Sequence, residues 1–204
     1  ERFYHDNKMR RSDLEDYLKT ARETTGIIMG NLQRAADHIR GFKQVAVDQS
    51  SEKKRLFKLK EYIDEVLLSL HPKLKRSPHT ITVNCPENLE IDSYPGAFSQ
   101  IITNFVMNSL IHGFTSDTTQ GEIVLQIYEN RGSLWIRYRD NGRGMSEQEC
   151  TRIFEPFYTT KREQGGSGLG LHIVYNLVTQ QLNGQITCES TPGVGTTFII
   201  QIPI

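Results

Sequence analysis

The chain has 204 residues, enough for one sizeable core domain with an appendage or for two small domains. Lys and Arg together number 24, as do Asp and Glu, so the chain lacks the overall basic charge that nucleic-acid binding usually needs. No apolar run reaches the roughly 18 to 20 residues of a membrane span, and Cys85, Cys150 and Cys188 lack the spacing of a metal site or disulfide framework, which favours a reducing compartment.

A repeating apolar pattern occupies the first quarter of the chain. Apolar or small residues recur at spacings that alternate between four and three, which predicts one long helix with the seam of a coiled coil or helical bundle. The seam consists of Leu14, Leu18, Ala21, Thr25, Ile28, Leu32, Ala35, Ile39, Phe42 and Ala46. No other predicted helix in the chain is long enough to cover this seam. We therefore expect the covering helix to come from an upstream segment, from a second copy of the chain, or from both.

The pattern changes after the long helix. A polar run predicts a linker at about residues 48–55, and brief alternation predicts a short strand at 56–59. Helical periodicity returns at 60–74. Two more short strands are predicted at 80–85 and 89–91, on either side of a proline-containing turn.

Helices and hairpins alternate in the remaining sequence. We predict that Ser93 caps a helix with Pro95 in its first turn and a wide apolar face, and that another helix begins at Leu171. Alternating runs predict hairpins at 121–139 and 185–202. The second part of the chain is thus predicted to be an α+β domain, with a mixed, mostly antiparallel sheet and helices packed on one side.

The helix after Pro95 carries polar residues that its apolar pattern does not require. Asn104, Asn108 and His112 recur every four residues and share one face. Because buried amides need partners, the stripe indicates ligand or metal contacts, and an amide oxygen is a hard neutral ligand suited to Mg²⁺. A capping network or a solvated helix edge would give the same spacing.

A second candidate follows the predicted strand that ends near residue 139. A carboxylate at a strand end, followed by two glycines, suits a planar base with an exocyclic amine, and the sequence from Asp140 to Gly144 is Asp-Asn-Gly-Arg-Gly. An ordinary Asp-Asn-Gly turn is the alternative.

The third candidate is a loop followed by a glycine-rich turn. Residues 153–161 place aromatics and Lys161 on a segment that is either a lid or a set of core anchors. Gly166, Gly168 and Gly170 then precede the helix that begins at Leu171, an arrangement in which backbone N–H groups can approach a phosphate closely. A flexible loop before a helix is the alternative for the glycines.

The joint pattern resembles the N, G1, F, G2 and G3 boxes of sensor histidine kinases. These kinases belong to the GHKL superfamily, with gyrase, the ninety-kilodalton heat-shock chaperones and the mismatch-repair ATPases. The matching motifs are Asn104-x3-Asn108-x3-His112, Asp140-x-Gly142-x-Gly144, Phe154-x2-Phe157, Gly166-x-Gly168-x-Gly170 and Gly193-x-Gly195-Thr196.

The resemblance covers about residues 56–204 and implies the Bergerat fold, one mixed sheet backed by three helices. The heptad helix is similar to the second helix of the dimerisation and phosphotransfer hairpin. The implied domains are a partial dimerisation region at 1–50 and an ATP-binding catalytic domain at 51–204.

The resemblance also implies the ligands ATP and Mg²⁺ and a role for each motif. At the phosphates, Asn108 would coordinate Mg²⁺, with Asn104 and His112 beside it and Lys161 as a basic lid residue. The implied backbone contacts to phosphate come from Gly166, Gly168, Leu169, Gly170 and Leu171.

At the other end of the ligand, the resemblance implies that Asp140 accepts a hydrogen bond from the adenine amino group. Gly142 and Gly144 would line the base. Thr196 would help to bind adenine through water.

One departure from the family pattern concerns the phosphoacceptor. Histidine kinases carry it in a His-Glu-x-x-x-Pro motif on the first helix of the hairpin, and this sequence has none. His5 precedes an acid but lacks the proline, and His38 lies beside the heptad seam; we interpret both as surface residues. We expect these residues to be a fragment that begins after the missing helix, although a pseudokinase without an acceptor has the same motifs.

These observations favour phosphoryl transfer over hydrolysis. In the gyrase branch a Glu at the position of Asn104 acts as general base on water, and an Asn cannot take that proton. We predict the catalytic part of a dimeric two-component sensor kinase that pairs through the helical hairpin and serves a response-regulator receiver domain. We expect it to be cytoplasmic, to make no direct membrane contact and to bind no nucleic acid. The alternatives are an ATP-gated interaction module, a GHKL ATPase and a serine kinase of the anti-sigma type.

Overall fold

A computed structural model of the chain describes residues 11–51, 54–74, 78–114, 120–161 and 167–204. Within the first helix, side chains are described for residues 12–33, and those of residues 72 and 73 are not described. The chain divides into two units, one ending at Phe42 and the other running from Lys43 to Ile204. No helix in these described ranges is both long and apolar enough to cross a membrane.

The heptad pattern folds as one helix, α1, which spans Arg11–Ser51. The seam residues Leu14, Leu18, Ile28 and Leu32 are exposed, whereas the side chains of the seam beyond residue 33 lie outside the described set. The predicted linker begins too early, because the helix continues through residues 48–51. Asp, Gln and Ser are tolerated in helices, so losing the apolar seam does not end the backbone hydrogen bonding.

The second unit contains a five-stranded sheet and a two-stranded sheet. The larger sheet has the order β2-β4-β5-β7-β6, in which β2 runs parallel to β4 and the other pairs are antiparallel. β1 and β3 form the small antiparallel sheet. The strands are β1 Arg55–Lys58, β2 Thr80–Asn84, β3 Glu90–Ser93, β4 Glu122–Asn130, β5 Ser133–Asp140, β6 Gln185–Thr191 and β7 Gly195–Pro203.

Both predicted hairpins are confirmed. β4 and β5 are joined by Arg131 and Gly132, whose φ angles of 51° and 73° suit the two-residue turn that matches strand twist. The predicted neighbours β2 and β3, in contrast, do not pair with each other, because β2 joins the large sheet and β3 joins the small one.

Helices and sheet share one apolar core. Phe105 is fully buried and stacks on Phe198 of β7, with ring centroids 4.6 Å apart and planes inclined by 14°. The predicted α+β sheet with packed helices is thus confirmed. The helices are α2 Leu59–Leu74, α3 Pro95–Asn108, α4 Glu147–Arg152 and α5 Gly170–Asn176, and π-helical turns at Ser109–Gly113 and Leu177–Gln181 extend α3 and α5.

The start of α3 differs from the prediction in one residue. Ser93 is the last residue of β3, paired with Arg55, and Tyr94 is the N-cap, with no side-chain capping bond. Pro95 occupies the first turn, as predicted. Ser93 is wrong as a cap because strand pairing already holds its backbone.

Along the strands of the large sheet, the residues that alternate with the buried ones form the outer face of the sheet. Trp135 of β5 lies here and stacks parallel to Tyr128 of β4, with ring centroids 6.4 Å apart and planes inclined by 5°. Its strand neighbours Leu134 and Ile136 point into the core.

Candidate functional site

The end of α3, the end of β5 and the start of α5 surround a pocket of about 320 Å³. It brings together most of the residues that the sequence motifs singled out. The pocket is lined by Asn104, Asn108, His112, Asp140, Gly144, Gly168, Gly170, Leu171 and Thr196, among others. Gly142, Leu169 and Lys161 are described but do not line it, and Gly166 lies outside the described residues.

The polar stripe on α3 faces this pocket. The amide nitrogen of Asn104 donates to the carbonyl oxygen of Gln100 at 2.9 Å, which leaves the amide oxygen directed elsewhere. The Nδ2 atom of Asn108 is buried and has no hydrogen-bond partner. A buried, unsatisfied amide is costly in a native structure, so Asn108 marks a position that a ligand would satisfy.

His112 lies one turn further, in the π-helical turn that follows α3. Burial is the main cause that lowers its pKa, and the positive charges of Lys161 and Arg143 lower it further. The imidazole is therefore held towards its neutral form, in which one ring nitrogen donates and the other accepts a hydrogen bond.

Asp140 is the buried carboxylate of the pocket, with 4% of its surface exposed. The hydroxyl of Ser109 donates to its Oδ2 at 2.7 Å, and the backbone N–H of Gly142 donates to its Oδ1 at 2.9 Å. Each carboxylate oxygen retains a further lone pair. The side chain is thus fixed in orientation while it can still accept a hydrogen bond from a ligand.

Two glycines allow the turn after Asp140 to pack closely. A Cβ atom on Gly142 would lie 2.6 Å from the carbonyl oxygen of Gly113. One on Gly144, whose φ is 65°, would lie 2.0 Å from the carbonyl oxygen of Thr191. Side chains at either position would push this turn away from the end of α3 or from β6.

Thr196 closes the same end of the pocket from β7, where it pairs with Asp140 in the sheet register. It is buried, and its hydroxyl lies 3.0 Å from the hydroxyl of Ser190. Ser190 donates to the carbonyl of Gly195 and accepts from the N–H of Met145, each at 2.8 Å. Ser190 therefore joins the final hairpin to the turn after Asp140.

The glycine-rich turn also lines the pocket, and it packs against α3. A Cβ atom on Gly170 would lie 3.0 Å from the amide oxygen of Asn104 and 3.8 Å from that of Asn108. The start of α5 therefore sits directly beside both asparagines.

The loop before the glycines contains a core anchor. Ile153 is buried, and the half-buried Phe154 packs on Phe198 and Tyr175 at centroid distances of 6.4 Å and 5.6 Å. Phe157 is exposed, with a positive φ of 65°. Lys161 donates from Nζ to the carbonyl oxygen of Ile111 in the turn after α3.

Comparison with known proteins identifies the family. The family described as histidine kinase-, DNA gyrase B-, and HSP90-like ATPase matches residues 94–204, which include every pocket-lining residue. The chain belongs to this ATPase family. ATP binding is therefore the property that this pocket shares with the rest of the family.

Several relatives of the chain within the ATPase family are sensor kinases. The chain is 43% identical over 113 residues to the autoinducer 2 sensor kinase/phosphatase LuxQ of Vibrio cholerae, covering 52% of this chain and 13% of LuxQ. It is 28% identical over 197 residues to the sensor histidine kinase RcsC of Escherichia coli, covering 93% of this chain and 20% of RcsC. The chain thus spans a small part of these relatives.

A solved structure agrees with this family membership. The nucleotide-free catalytic domain of histidine kinase ThkA matches with a TM-score of 0.64 and 26% identity, covering 74% of this chain and 95% of that domain. Residues 94–204 are therefore an ATP-binding catalytic domain of the two-component sensor histidine kinase type.

Sequence reasoning did not find three residues that hold the site together. Ser109 fixes Asp140, Ser190 ties the final hairpin to the following turn, and Arg143 bonds to the end of α3. Arg143 was visible only as the variable position within the Asp-Asn-Gly-Arg-Gly motif. No pattern distinguished the two serines from ordinary polar residues.

Proposed function

We propose that this domain transfers the γ-phosphoryl group of ATP to a histidine that lies outside these 204 residues, for relay to an aspartate of a response regulator. The observation that carries the proposal is that one pocket is lined by two unlike sets of groups. It contains a fixed, buried carboxylate, and it contains two asparagines beside a glycine-rich turn. Such a pocket suits a ligand with a base at one end and phosphates at the other.

At the adenine end, Asp140 accepts a hydrogen bond from the exocyclic amine of the base. Gly144, which lines the pocket, lets the base lie against the backbone, and Thr196 contributes through water. Gly142 does not line the pocket and would act on the base through the hydrogen bond that it donates to Asp140. The support is that Ser109 and Gly142 already hold both carboxylate oxygens, so the acceptor is oriented before the ligand arrives. Guanine carries a carbonyl where adenine carries this amine, so the same acceptor discriminates against GTP.

At the phosphate end, Asn104, Asn108 and His112 face the phosphoryl groups. Backbone N–H groups from Gly166, Gly168, Leu169, Gly170 and Leu171 supply donors. Lys161 would add positive charge near this end, and its hydrogen bond to Ile111 would have to be exchanged for one to phosphate.

The residues present fit a magnesium ion that is bound mainly through ATP. Among the described residues, no group of three or more His, Cys, Asp and Glu side chains could hold a metal ion. Asn108 carries a neutral amide oxygen beside the glycine-rich turn, and Mg²⁺ commonly takes one or two protein oxygens together with substrate phosphates. Its unpartnered Nδ2 is a donor, which suits a phosphate oxygen and not a cation. When bound, Mg²⁺ would neutralise negative charge on the phosphates. Asn108 is the residue that would hold it.

The asparagine stripe favours transfer over hydrolysis. A neutral amide cannot remove a proton from water, and Asn104 already donates its N–H to Gln100. Asn104 therefore orients phosphate without activating a nucleophile, so rate acceleration rests on positioning and charge neutralisation.

The partners follow from the same proposal. Residues 1–50 form part of a dimerisation region and residues 51–204 the catalytic domain, and two copies pair through a helical hairpin. A receiver domain accepts the phosphoryl group. A ThkA structure whose fold this chain shares, with a TM-score of 0.66 and 22% identity, contains the response regulator TrrA, and this complex supports the proposal. The domain acts in the cytoplasm, whether or not the full protein is anchored in a membrane.

The test follows nucleotide binding, phosphate release and protein-bound label together, in Mg²⁺ and γ-labelled ATP. We expect the parent chain to bind ATP in preference to GTP, with little phosphate release and no protein-bound label. Asp140→Asn should weaken ATP affinity roughly 10- to 100-fold, because the amide presents a donor or a weaker acceptor to the base. Asp92→Asn, at an exposed position of strand β3, is the control, and it should bind like the parent.

Two results would contradict the proposal. If the folded parent chain bound no ATP, the pocket would not be a nucleotide site. Rapid phosphate release that disappears in Asp140→Asn would show an ATPase in place of a phosphotransferase. If neither occurs, adding a purified histidine-bearing hairpin from a relative such as LuxQ should produce labelled hairpin.

A further inference from the structure

Three successive carbonyl groups at the end of the turn after α3 all accept hydrogen bonds. The carbonyl of Ile111 accepts from Lys161, and that of His112 accepts from Nε of Arg143 at 3.1 Å. The carbonyl of Gly113 accepts from the backbone N–H of Arg143 at 2.8 Å. The last carbonyls of a helix have no partners within it and carry partial negative charge, so two cations here are favourably placed.

The guanidinium of Arg143 also contacts two other segments. One Nη atom lies 3.3 Å from Oε1 of Glu149 and 3.5 Å from the hydroxyl of Thr160. Glu149 is itself fixed by the capping box at the start of α4, where the N–H of Ser146 donates to it and is the main cause that lowers its pKa. One side chain therefore joins the turn after Asp140, the turn after α3, the start of α4 and the segment before Lys161.

We propose that Arg143 is a positioning residue that sets the distance between Asp140 and the end of α3, and through it the affinity and base selectivity of the pocket. The inference rests on the proposed nucleotide site and assigns a further residue to it. Its basis is that the Arg143 backbone and side chain bind adjacent carbonyls of the turn that borders Asp140. A Cβ on Gly113 would lie only 3.6 Å from Oδ1 of Asp140, so this turn forms one wall of the carboxylate's site.

A surface ion pair alone would not have this effect. The Arg143 and Glu149 side chains are 40% and 22% exposed, and pairs that water can reach contribute little to stability. The distinguishing feature is the forked geometry, because Nε and Nη bind acceptors on different segments. A lysine keeps the charge but has one nitrogen at the end of a flexible chain, so it cannot hold both.

The test compares Arg143→Ala and Arg143→Lys with the parent chain. The affinities for ATP and GTP are measured by calorimetry on samples of known folded fraction, alongside the melting temperature without nucleotide. We expect Arg143→Ala to weaken ATP affinity about tenfold and to lower the preference for ATP over GTP, because Asp140 loses its fixed position. Arg143→Lys should recover only part of both.

Arg152→Ala is the matched control. The Nε of Arg152 donates to Glu155 at 3.1 Å, and its guanidinium lies 4.8 Å from the centroid of the Tyr158 ring. The control variant therefore removes a comparable surface arginine from the same part of the fold. It should leave the ratio of ATP to GTP affinity unchanged. A purely structural role for Arg143 would lower the melting temperature without changing affinity per folded molecule, and that result would overturn the proposal.

A second measurement separates this proposal from the nucleotide site. Hydrogen exchange of residues 140–145 is followed without ligand, where the Arg143 amide is bonded to Gly113. Exchange there should speed up in Arg143→Ala and stay unchanged in Arg152→Ala. If the parent chain bound no ATP, the proposed function would fail. Unchanged exchange in Arg143→Ala would show instead that the Arg143 side chain does not hold the turn after Asp140 in place.

Discussion

Asp140 depends on Ser109 for its orientation in the pocket. The hydroxyl of Ser109 lies 2.7 Å from Oδ2 of Asp140 and 2.9 Å from the hydroxyl of Tyr138, so three buried polar groups satisfy one another. Burial is the main cause that raises the pKa of Tyr138, which keeps its hydroxyl protonated and able to donate. A buried carboxylate next to a second negative charge would be costly, and the neutral phenol avoids that cost.

His79 makes the stability of the domain depend on pH. Its Nδ1 accepts from the N–H of Gly121 at 2.8 Å, its ring packs on Phe114 at 4.2 Å, and burial lowers its pKa. The unfolded chain, with the ordinary value of about 6.5, therefore takes up protons first as the pH falls. The contribution of neutral His79 to the stability of the folded domain is complete above about pH 6.5, and it is lost as the pH falls from there towards the folded-state pKa.

The measurement is the free energy of unfolding by urea between pH 8 and pH 5. We expect the free energy of unfolding of His79→Gln, in which the glutamine can still accept from Gly121, to fall less on acidification than that of the parent. His112 leaves a residual slope in the variant, because its pKa is also lowered. Parallel curves for variant and parent across this range would contradict the role of His79.

Functional residues were easier to predict than the residues that hold them. Asn104, Asn108 and Asp140 stood out because polar groups interrupted an apolar helix or followed a strand directly. Ser109 gave no such signal, because a serine beside an apolar face is common, and its partner Asp140 lies 31 residues away in sequence. Arg143 was equally hidden, since its acceptors are backbone carbonyls that every residue possesses.

Elements whose contacts are local were predicted well. The two hairpins follow from alternation plus a turn, and each strand's partner is its sequence neighbour. The pairing of β1 with β3 and the parallel pairing of β2 with β4 were not predicted, because each joins strands separated by a helix. The π-helical turn at Ser109–Gly113 was also missed, since it widens the helix without changing its apolar pattern.

Gly193, in the turn of the final hairpin, and Gly144, in the turn that packs against that hairpin, offer a matched comparison. Gly144 and Gly193 both have positive φ angles, 65° and 78°, but a Cβ on Gly193 would meet nothing within 4 Å. Gly193→Ala should therefore cost only the backbone strain, about 1–2 kcal/mol. Gly144→Ala adds a clash with the Thr191 carbonyl and should cost about 2–5 kcal/mol.

Urea unfolding measures both variants. Nucleotide affinity provides a second difference, because Gly144 lines the pocket and Gly193 does not. We expect Gly144→Ala to weaken ATP binding and Gly193→Ala to leave it unchanged. Equal destabilisation by the two substitutions would show that β6 yields to the added methyl group.

At the scale of the whole molecule, the exposed seam of α1 should decide the association state. Leu32 is 61% exposed, and Leu14, Leu18 and Ile28 are exposed along the same seam. An apolar row of this length is stabilised by a second helix. Leu32→Asp should therefore shift sedimentation towards the monomer while leaving nucleotide affinity nearly unchanged.

Lys19→Asp is the control, because it makes a charge change at an exposed position off the seam. It should sediment like the parent chain. Identical sedimentation of Leu32→Asp and the parent would count against pairing through this helix.

The outer face of the sheet gives the kinase domain an optical reporter. Trp135 is the single tryptophan of the chain, and it stacks on Tyr128 on the face opposite the core. We therefore expect its emission to change when the sheet unfolds and to stay constant when a nucleotide binds in the pocket. Fluorescence can thus record the folded fraction in the same cuvette in which a nucleotide titration is followed by another signal.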